Sequence, residues 1–257
     1  MLPIDLIFIR HGQSEENLAI KMSKKRDNSF FTPEFRSRHS RSFRLTDKGI
    51  AQAKAAGEWL RKNGPMSLDF FYVSDFVRAK ETAFYLGLSQ VQWEVKYELR
   101  ERDQPPSFGL DYQNVTDPFL FYPAGNGGES IATLCLRLKT GFLSELEKKH
   151  SRGKGIVVSH GHVMRALQLE LEGLGHDDFI RLDKSKEPAD SILNCQIIWY
   201  TRCDPVTLAV NPEFVAVRSV CVRGLVGDYG WRRIQRRKYS NADLMAEVQK
   251  YPRQINN

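Results

Sequence analysis

The sequence predicts an α/β fold, a three-layer sandwich with a mostly parallel central sheet and helices on both faces. Short apolar runs with the composition of buried strands alternate along the chain with longer segments of helical periodicity. This alternation favours a parallel sheet, because each crossover between parallel strands normally passes through a helix. Two later β-rich runs can pair with each other as an antiparallel edge. The predicted strands cover residues 4–9, 70–73 and 156–158, and the two later runs cover 195–201 and 214–222.

Capping residues mark the predicted helices. Thr46 is a candidate N-cap of a helix that continues to Asn63, where an Asn-Gly-Pro sequence ends it. Ser130 is a candidate N-cap of a second long helix with a regular apolar stripe. Further helices are predicted over 78–88 and 163–171, and a loop-rich cover with many prolines and glycines over 103–127.

The size and composition favour a single domain over residues 1–257. Hydrophobic residues make up 41% of the chain, enough for a sizeable core, and no apolar run is long enough to span a membrane. The apolar N-terminus contains Asp5 and lacks a small-residue cleavage site, so it predicts a first strand rather than a signal peptide. The four cysteines are widely spaced without a Cys-x-x-Cys pair, which argues against a metal site or disulfides. We therefore expect a cytoplasmic protein.

The formal net charge of +7 is unevenly distributed, because two basic segments lie on a chain whose remainder has a balance of −5. Residues 21–44 contain eight basic and two acidic residues, and residues 218–238 contain seven basic and one acidic residue, so each segment has a balance of +6. Such segments suggest a local anionic partner, which could be a polyanionic substrate, a membrane surface or nucleic acid; the alternative is a solvated surface. Trp231 and Tyr239 flank the run RRIQRRK of the second segment, and two aromatic residues are a weak signal for nucleic acid, since stacking on bases needs interleaved aromatic residues.

We call residues 21–44 the basic insert and residues 218–238 the basic tail. The basic insert is long for a surface connection, and its length and charge predict a lid or specificity loop. The chain from about residue 203 onward is an extension to which the sequence assigns no role. No sequence feature indicates an oligomeric state.

Polar residues follow three predicted strands, at the points where ligands bind in open α/β sheets. Arg10 and His11 end the first strand, His160 follows the strand at 156–158, and Arg78 lies at a helix start just past another strand. A glycine after each histidine lets the backbone approach a ligand and leaves the imidazole uncrowded. Two arginines and two histidines directed towards one crevice suit a phosphoryl group, because a guanidinium binds phosphate oxygens in a fork.

The same residues suggest the chemistry. No serine, cysteine or aspartate has the surroundings of an activated nucleophile, whereas a neutral imidazole with a reference pKa of about 6.5 can attack phosphorus near neutral pH. The second histidine, His160, would then be protonated, and with Arg10 and Arg78 it would stabilise the charge that develops on the phosphoryl oxygens. These cations predict a reaction that needs neither a metal nor an organic cofactor.

Five blocks occur in the order RHGQSEEN, SDFVRAKETA, LRERD, GGES and VVSHG. In this order they resemble the histidine phosphatase superfamily, which includes cofactor-dependent phosphoglycerate mutase, over roughly residues 4–200. A lone Arg-His-Gly is a weak signal, but five ordered blocks at predicted strand ends are a strong one. The resemblance implies that His11 becomes phosphorylated, that Arg10 and Arg78 clamp the phosphate, and that His160 is the second histidine of the pocket.

Two further roles follow from the resemblance. Asn17 lies where family members often place a side chain against the phosphate, although it could be a turn residue. Glu101 corresponds to the carboxylate that protonates the leaving oxygen and then activates water, for which an elevated pKa would be useful. A structural ion pair is the alternative role for Glu101. Glu129 is a rival acid that more plausibly supports a helix N-terminus, and His162 is predicted to be a bystander.

The sequence departs from the mutase pattern between Asn17 and Thr46, where mutases have a short connection and this chain has the basic insert. Because a mutase must hold its phosphate away from water, the departure favours hydrolysis over transfer. The predicted function is hydrolysis of a small phosphomonoester, which can carry further negative charge. The alternatives are a phosphoglycerate mutase-type phosphotransferase and a weakly catalytic interaction module that uses the basic segments.

Overall fold

The computed structural model describes residues 1–102, 117, 119–120, 128–185, 187–222 and 227–255. In these ranges seven strands form one sheet in the order β3-β2-β4-β1-β5-β6-β7. The strands are β1 (Asp5–Arg10), β2 (Phe70–Ser74), β3 (Glu94–Lys96), β4 (Lys154–Ser159), β5 (Ile197–Thr201), β6 (Ala216–Cys221) and β7 (Gly227–Arg233). The helices are α1 (Glu15–Ser23), α2 (Pro33–Ser37), α3 (Asp47–Asn63), α4 (Val77–Tyr85), α5 (Ile131–Arg137), α6 (Ser144–Lys149), α7 (Gly161–Glu172), α8 (His176–Lys184) and α9 (Asn241–Val248).

The sheet is mixed, so the prediction of a mostly parallel sheet is wrong. Strands β1 to β4 pair in parallel, whereas β5 is antiparallel to β1, β6 to β5 and β7 to β6. Connectivity explains the β5–β6 pair: the described connection between these two strands contains no helix, and strands joined in this way pair antiparallel. The predicted antiparallel pairing of the two later β-rich runs is confirmed, but β7 lies outside them at the sheet edge.

The core lies on both sides of β1. Leu6 and Phe8 belong to a cluster with residues of α5, α7 and α8, and the alternate residues Ile7 and Ile9 belong to a second cluster with residues of α3 and α4. All four side chains are at most 1% exposed, which explains why this strand is apolar on both faces. The predicted N-caps are confirmed, since Thr46 and Ser130 accept hydrogen bonds from the first turns of α3 and α5.

The basic insert contains the end of α1, the short helix α2 and a 3₁₀ turn over Ser40–Ser42. The extension from about residue 203 contributes β6 and β7 to the sheet and ends with α9. The loop-rich cover predicted at 103–127 lies outside the described residues, apart from Asp117, Phe119 and Leu120. Among the described helices, none combines the length and the apolar character needed to cross a membrane.

Candidate active site

His11 lies at the end of β1 in a fixed orientation. Its ring is buried, Nδ1 is 2.7 Å from the Gly12 carbonyl oxygen, and Nε of Arg78 lies 3.1 Å from Nε2. A guanidinium can only donate, so Nε2 is the accepting nitrogen and Nδ1 carries the proton. Burial, followed by the charges of Arg78 and His160, holds the pKa of His11 well below its usual value. The Nε2 lone pair therefore points towards Arg78 on a neutral ring.

The glycine after His11 is required by a backbone contact. A Cβ on Gly12 would lie 2.4 Å from the carbonyl oxygen of Gly49 in the first turn of α3. The Gly12 amide also donates to Oγ1 of Thr82 on α4, at 3.0 Å. The close approach to α3 therefore requires a glycine at this position.

His160 is the N-cap residue of α7 and lies beside His11, with 5.1 Å between the ring centroids. Its Nε2 is 2.8 Å from Oγ of Ser74, and its buried Nδ1 makes no hydrogen bond with any residue that the structure describes. Burial and the charge of Arg78 hold the pKa of His160 well below its usual value. The imidazole of His160 is therefore neutral in this structure, and its protonation during the reaction stays a prediction.

Arg78 is 2% exposed and joins α4 to the basic insert. Its Nη1 donates to the Ser40 carbonyl oxygen at 2.6 Å and lies 3.5 Å from Oε2 of Glu16. Ser40 also donates from Oγ to Oε2 of Glu16, at 2.9 Å. The guanidinium packs over the ring of Phe76, 4.9 Å from its centroid. The insert therefore borders the site directly, through Ser40.

Arg10 approaches the same crevice from the other side. Its Nη1 donates to the Ile192 carbonyl oxygen at 2.7 Å. The guanidinium lies against Gly161 at the start of α7, where a Cβ would be 3.4 Å from Cζ of Arg10. The four residues predicted from the strand ends, namely Arg10, His11, Arg78 and His160, thus lie around one crevice.

Glu101 lies near His160, but its environment differs from the one expected of an acid. Oε1 is 3.5 Å from Nδ1 of His162 and accepts from the Arg102 amide at 3.0 Å. Burial raises the pKa of Glu101, but the charge and hydrogen bond of His162 and the hydrogen bond from the Arg102 amide outweigh it and hold the pKa well below the usual range. The expected elevated pKa is therefore wrong, and His162, predicted to be a bystander, contacts the carboxylate.

Asn17 and the rival acid Glu129 both form hydrogen bonds with other side chains. Oδ1 of Asn17 accepts from the Ser14 amide at the N-cap of α1 and from Nδ2 of Asn194 at 3.0 Å. Nδ2 of Asn194 also donates to the His11 carbonyl oxygen at 3.1 Å, so Asn17 is connected to the site through a second amide. Both oxygens of Glu129 accept from Arg137 at 2.7 Å, which ties the rival acid into an ion pair.

Sequence reasoning did not single out Glu16, Ser40 and Asn194. Glu16 lies inside the RHGQSEEN block, so its position five residues after His11 was an available signal. Ser40 and Asn194 reach the site from distant parts of the chain, and nothing local marks them. Within the described ranges, no group of three or more histidine, cysteine or acidic side chains has an arrangement that could hold a metal.

Residues 6–193 match the profile of the histidine phosphatase superfamily (branch 1), so the chain belongs to that superfamily, whose members act through a phosphohistidine intermediate. The chain is 28% identical over 191 residues to the 2,3-bisphosphoglycerate-dependent phosphoglycerate mutase of Azorhizobium caulinodans, covering 68% of this chain and 85% of the mutase.

Solved structures show the same fold. A mycobacterial glucosyl-3-phosphoglycerate phosphatase aligns with a TM-score of 0.55 and 22% identity, covering 77% of this chain and 90% of the phosphatase. A protein described as mycobacterial hydrolase 1 aligns with a TM-score of 0.56 and 20% identity, covering 92% and 99%. At these identities the likeness concerns the fold alone.

Proposed function

We propose that this chain is a metal-independent phosphomonoester hydrolase in which Nε2 of His11 takes the phosphoryl group and then passes it to water. The observation that carries the proposal is the orientation of His11. The Gly12 carbonyl holds the proton on Nδ1, and the lone pair on Nε2 points to the side where Arg78 can bind phosphate oxygens. A neutral imidazole is nucleophilic, and the Nε2 lone pair becomes free to attack once Arg78 donates to a bound phosphate instead.

The surrounding cations suit the charge on a transferred phosphoryl group. Arg78 and Arg10 flank the crevice, and fixed donors of this kind stabilise the oxygens as the transition state forms. A bound phosphate dianion would add negative charge beside His160 and so raise the pKa of that imidazole. Nδ1 of His160 makes no hydrogen bond within the described residues, so it has a donor position for a phosphate oxygen once it is protonated.

Glu101 fits the second half of the reaction. Its lowered pKa keeps the carboxylate ionised, and an ionised carboxylate can accept a proton from the water that attacks the phosphohistidine. We propose that His162 positions this carboxylate through their 3.5 Å contact. In the first half of the reaction the same carboxylate, in its protonated form, would donate to the leaving oxygen, and the negative charge of a bound phosphate favours that form by raising the pKa of Glu101.

We favour hydrolysis over phosphotransfer because the basic insert borders the site. The mutase pattern has a short connection after the asparagine, whereas here Ser40 of the insert contacts the phosphate-clamping arginine. The sequence relatives named as phosphoglycerate mutases favour phosphotransfer as the alternative. The contact between Nε of Arg78 and Nε2 of His11 argues against a weakly catalytic interaction module. The substrate class we propose is a small phosphate ester with additional negative charge, such as a phosphorylated hydroxy acid.

The first prediction tests the nucleophile. His11→Ala should lower kcat by about 10³-fold or more while the fold is retained, because no other described side chain takes the place of Nε2. Rapid quench with labelled substrate should place acid-labile, base-stable phosphate on His11. His176→Ala, a substitution of an exposed histidine on α8, is the control and should keep full activity.

The same phosphoenzyme separates hydrolysis from transfer. If the chain is a hydrolase, the label should be lost to water at a rate that 3-phosphoglycerate does not change. Trapping of the label on 3-phosphoglycerate would establish the mutase alternative, and an active His11→Ala variant would rule out both.

A further inference from the structure

Asn194 is a buried amide side chain that contacts the backbone of the nucleophile. Its Nδ2 donates to the His11 carbonyl oxygen at 3.1 Å and to Oδ1 of Asn17 at 3.0 Å. A carbonyl oxygen can only accept, so the contact with His11 determines which end of the Asn194 amide is the NH2 group. This one NH2 group joins the end of β1 to α1.

A cysteine in a left-handed backbone conformation fixes the position of Asn194. Cys195, the next residue, has a φ of 56°, which is unfavourable for a residue with a Cβ. It is fully buried, and its amide donates to the Arg10 carbonyl oxygen at 3.0 Å, at the end of β1. Backbone strain of this kind persists only where the surrounding structure imposes it, and it is concentrated at functional sites. The segment with Asn194 is therefore held against the strand end that carries the nucleophile.

The partners of Asn17 determine the direction of its side-chain amide. Oδ1 faces two donors, the Ser14 amide at 3.4 Å and Nδ2 of Asn194 at 3.0 Å. Because both partners donate, the oxygen lies on this side and the NH2 group is the other end of the Asn17 amide. Nδ2 of Asn17 makes no hydrogen bond with any residue that the structure describes, so its hydrogens are available to an anion.

We propose that Asn194 is a positioning residue that directs the NH2 group of Asn17 towards the substrate phosphate. The inference rests on the proposed function, in which the phosphate lies beside Nε2 of His11. The family resemblance places the Asn17 side chain against the phosphate, but it does not imply which end of the amide makes the contact. The direction decides the sign of the interaction, because the NH2 end donates to phosphate oxygens whereas the carbonyl end would face them with another acceptor.

The Ser14 contact alone would determine the direction of the Asn17 amide only weakly. At 3.4 Å that hydrogen bond is longer than the usual range of about 2.7–3.2 Å. It belongs to the capping box of α1, in which Oγ of Ser14 accepts from the Asn17 backbone amide at 3.2 Å. Asn194 adds the shorter contact, and the His11 carbonyl imposes its direction in turn. Capping and phosphate binding then use different atoms of Asn17, so one side chain can do both.

A double-mutant cycle on phosphate binding tests this inference. Isothermal titration calorimetry with inorganic phosphate measures the dissociation constant, Kd, without turnover. Asn17→Ala should raise Kd about tenfold, as expected when a hydrogen bond to a charged group is lost. Asn194→Ala should raise Kd about fivefold in the wild-type protein but less than about twofold in the Asn17→Ala background, because it acts through Asn17.

Asn211→Ala is the matched control. Nδ2 of Asn211 also donates to two oxygens, the carbonyl oxygens of Arg202 at 3.3 Å and Ala209 at 3.1 Å. This asparagine lies between β5 and β6, whereas Asn194 precedes β5, so the two amides lie at opposite ends of that strand. The substitution should leave Kd unchanged in both backgrounds.

An unchanged Kd in Asn194→Ala, or the same increase in both backgrounds, would overturn the inference, because a general structural effect does not depend on Asn17. Asn194→Asp keeps the size of the side chain and removes the donor. If the alanine variant folds poorly, this variant should likewise raise Kd less in the Asn17→Ala background than in the wild-type protein. Failure of the proposed function would look different, because the wild-type protein would then bind phosphate in the calorimeter but form no phosphohistidine.

Discussion

The basic insert and the basic tail carry the same formal charge, but their side chains have different partners in the folded chain. In the tail, five arginines form ion pairs with carboxylates, mostly on other elements: Arg218 with Asp228, Arg232 with Glu172, Arg233 with Asp204, Arg236 with Glu213 and Arg237 with Glu247. In the insert, Arg38 pairs with Glu15 and Arg44 with Glu81. Its other exposed cations include Lys21, Lys24, Lys25, Arg26 and Arg41, which form no ion pair with any described residue.

This difference separates two uses of positive charge. The tail arginines hold β7 and the segment after it against the body of the protein, and Arg236 also donates to carbonyl oxygens of Leu171 and Phe214. The insert cations remain available to an anion, and the insert contacts the site through Ser40. A charge count along the sequence cannot separate these cases, because the neutralising carboxylates of the tail come largely from other segments.

The largest effect we expect in this comparison is on the stability of the tail. Glu172 is 3% exposed; it accepts from the Tyr200 hydroxyl at 3.0 Å and from Arg232 at 2.6 Å. Removing the carboxylate leaves the buried Tyr200 hydroxyl without this partner, so Glu172→Ala should lower the free energy of unfolding by about 3 kcal/mol. Urea denaturation of the two proteins measures the difference.

Glu213→Ala is the control, because Glu213 pairs with Arg236 on the surface and is largely exposed. Its effect should stay below about 0.5 kcal/mol, as for most surface ion pairs. Equal effects of the two substitutions would show that the tail is not held through its buried carboxylate.

The sequence predicted three of the four parallel strands, without the short β3, and two of the three antiparallel strands, without β7. Residues 6–9 of β1 are all apolar and Thr46 is a strong N-cap, so local signals were sufficient there. β7 was not predicted because its sequence is mostly polar and charged, with no alternation of hydrophobic residues. It is held in the sheet by backbone pairing and by its ion pairs, which depend on residues far away in sequence.

The candidate site also has features that the sequence predicted and features that it did not. The location of four site residues could be predicted because each lies at a strand end or helix start, and the topology brings these ends together. They are Arg10, His11, Arg78 and His160. The protonation states of the site residues could not be predicted from the sequence, because they depend on which groups are neighbours in the folded chain. The contact of His162 lowers the pKa of Glu101, and burial beside Arg78 lowers that of His160. Both effects oppose what the isolated motifs suggested.

The second effect in size concerns the positive charge of the insert. Substituting Lys24, Lys25, Arg36 and Arg38 together by glutamine should raise KM several-fold for a substrate with charge beyond the cleaved phosphate, and should flatten the salt dependence of KM. Exposed charges act through solvent and are screened over a Debye length of about 8 Å at physiological ionic strength. Because the charges contribute equally to ground-state and transition-state binding, kcat should change little.

A variant of four cations in the C-terminal part of the chain sharpens the test. Glutamine at Arg237, Lys238, Lys250 and Arg253 removes the same charge from exposed positions. This variant should keep the parent KM and salt slope. If both quadruple variants change KM alike, the net charge of the protein attracts the substrate, and the insert has no special part.

The smallest effect we expect is that of a metal chelator, which should leave kcat and KM unchanged within about twofold. The reason lies in the arrangement at His11, where the guanidinium of Arg78 is 3.1 Å from the attacking nitrogen and can itself meet the phosphoryl oxygens. A divalent ion performing the same task would need oxygen or nitrogen ligands around that position, and Arg78 offers only donors. The measurement is initial velocity before and after exhaustive dialysis against EDTA, with magnesium, manganese and zinc added back separately. Restoration of a lost activity by one of these ions would show that the arginine clamp is insufficient. The insert cations would then attract the substrate to a metal-dependent site. The difference between the cations of the insert and those of the tail would in that case affect substrate binding and not the chemical step.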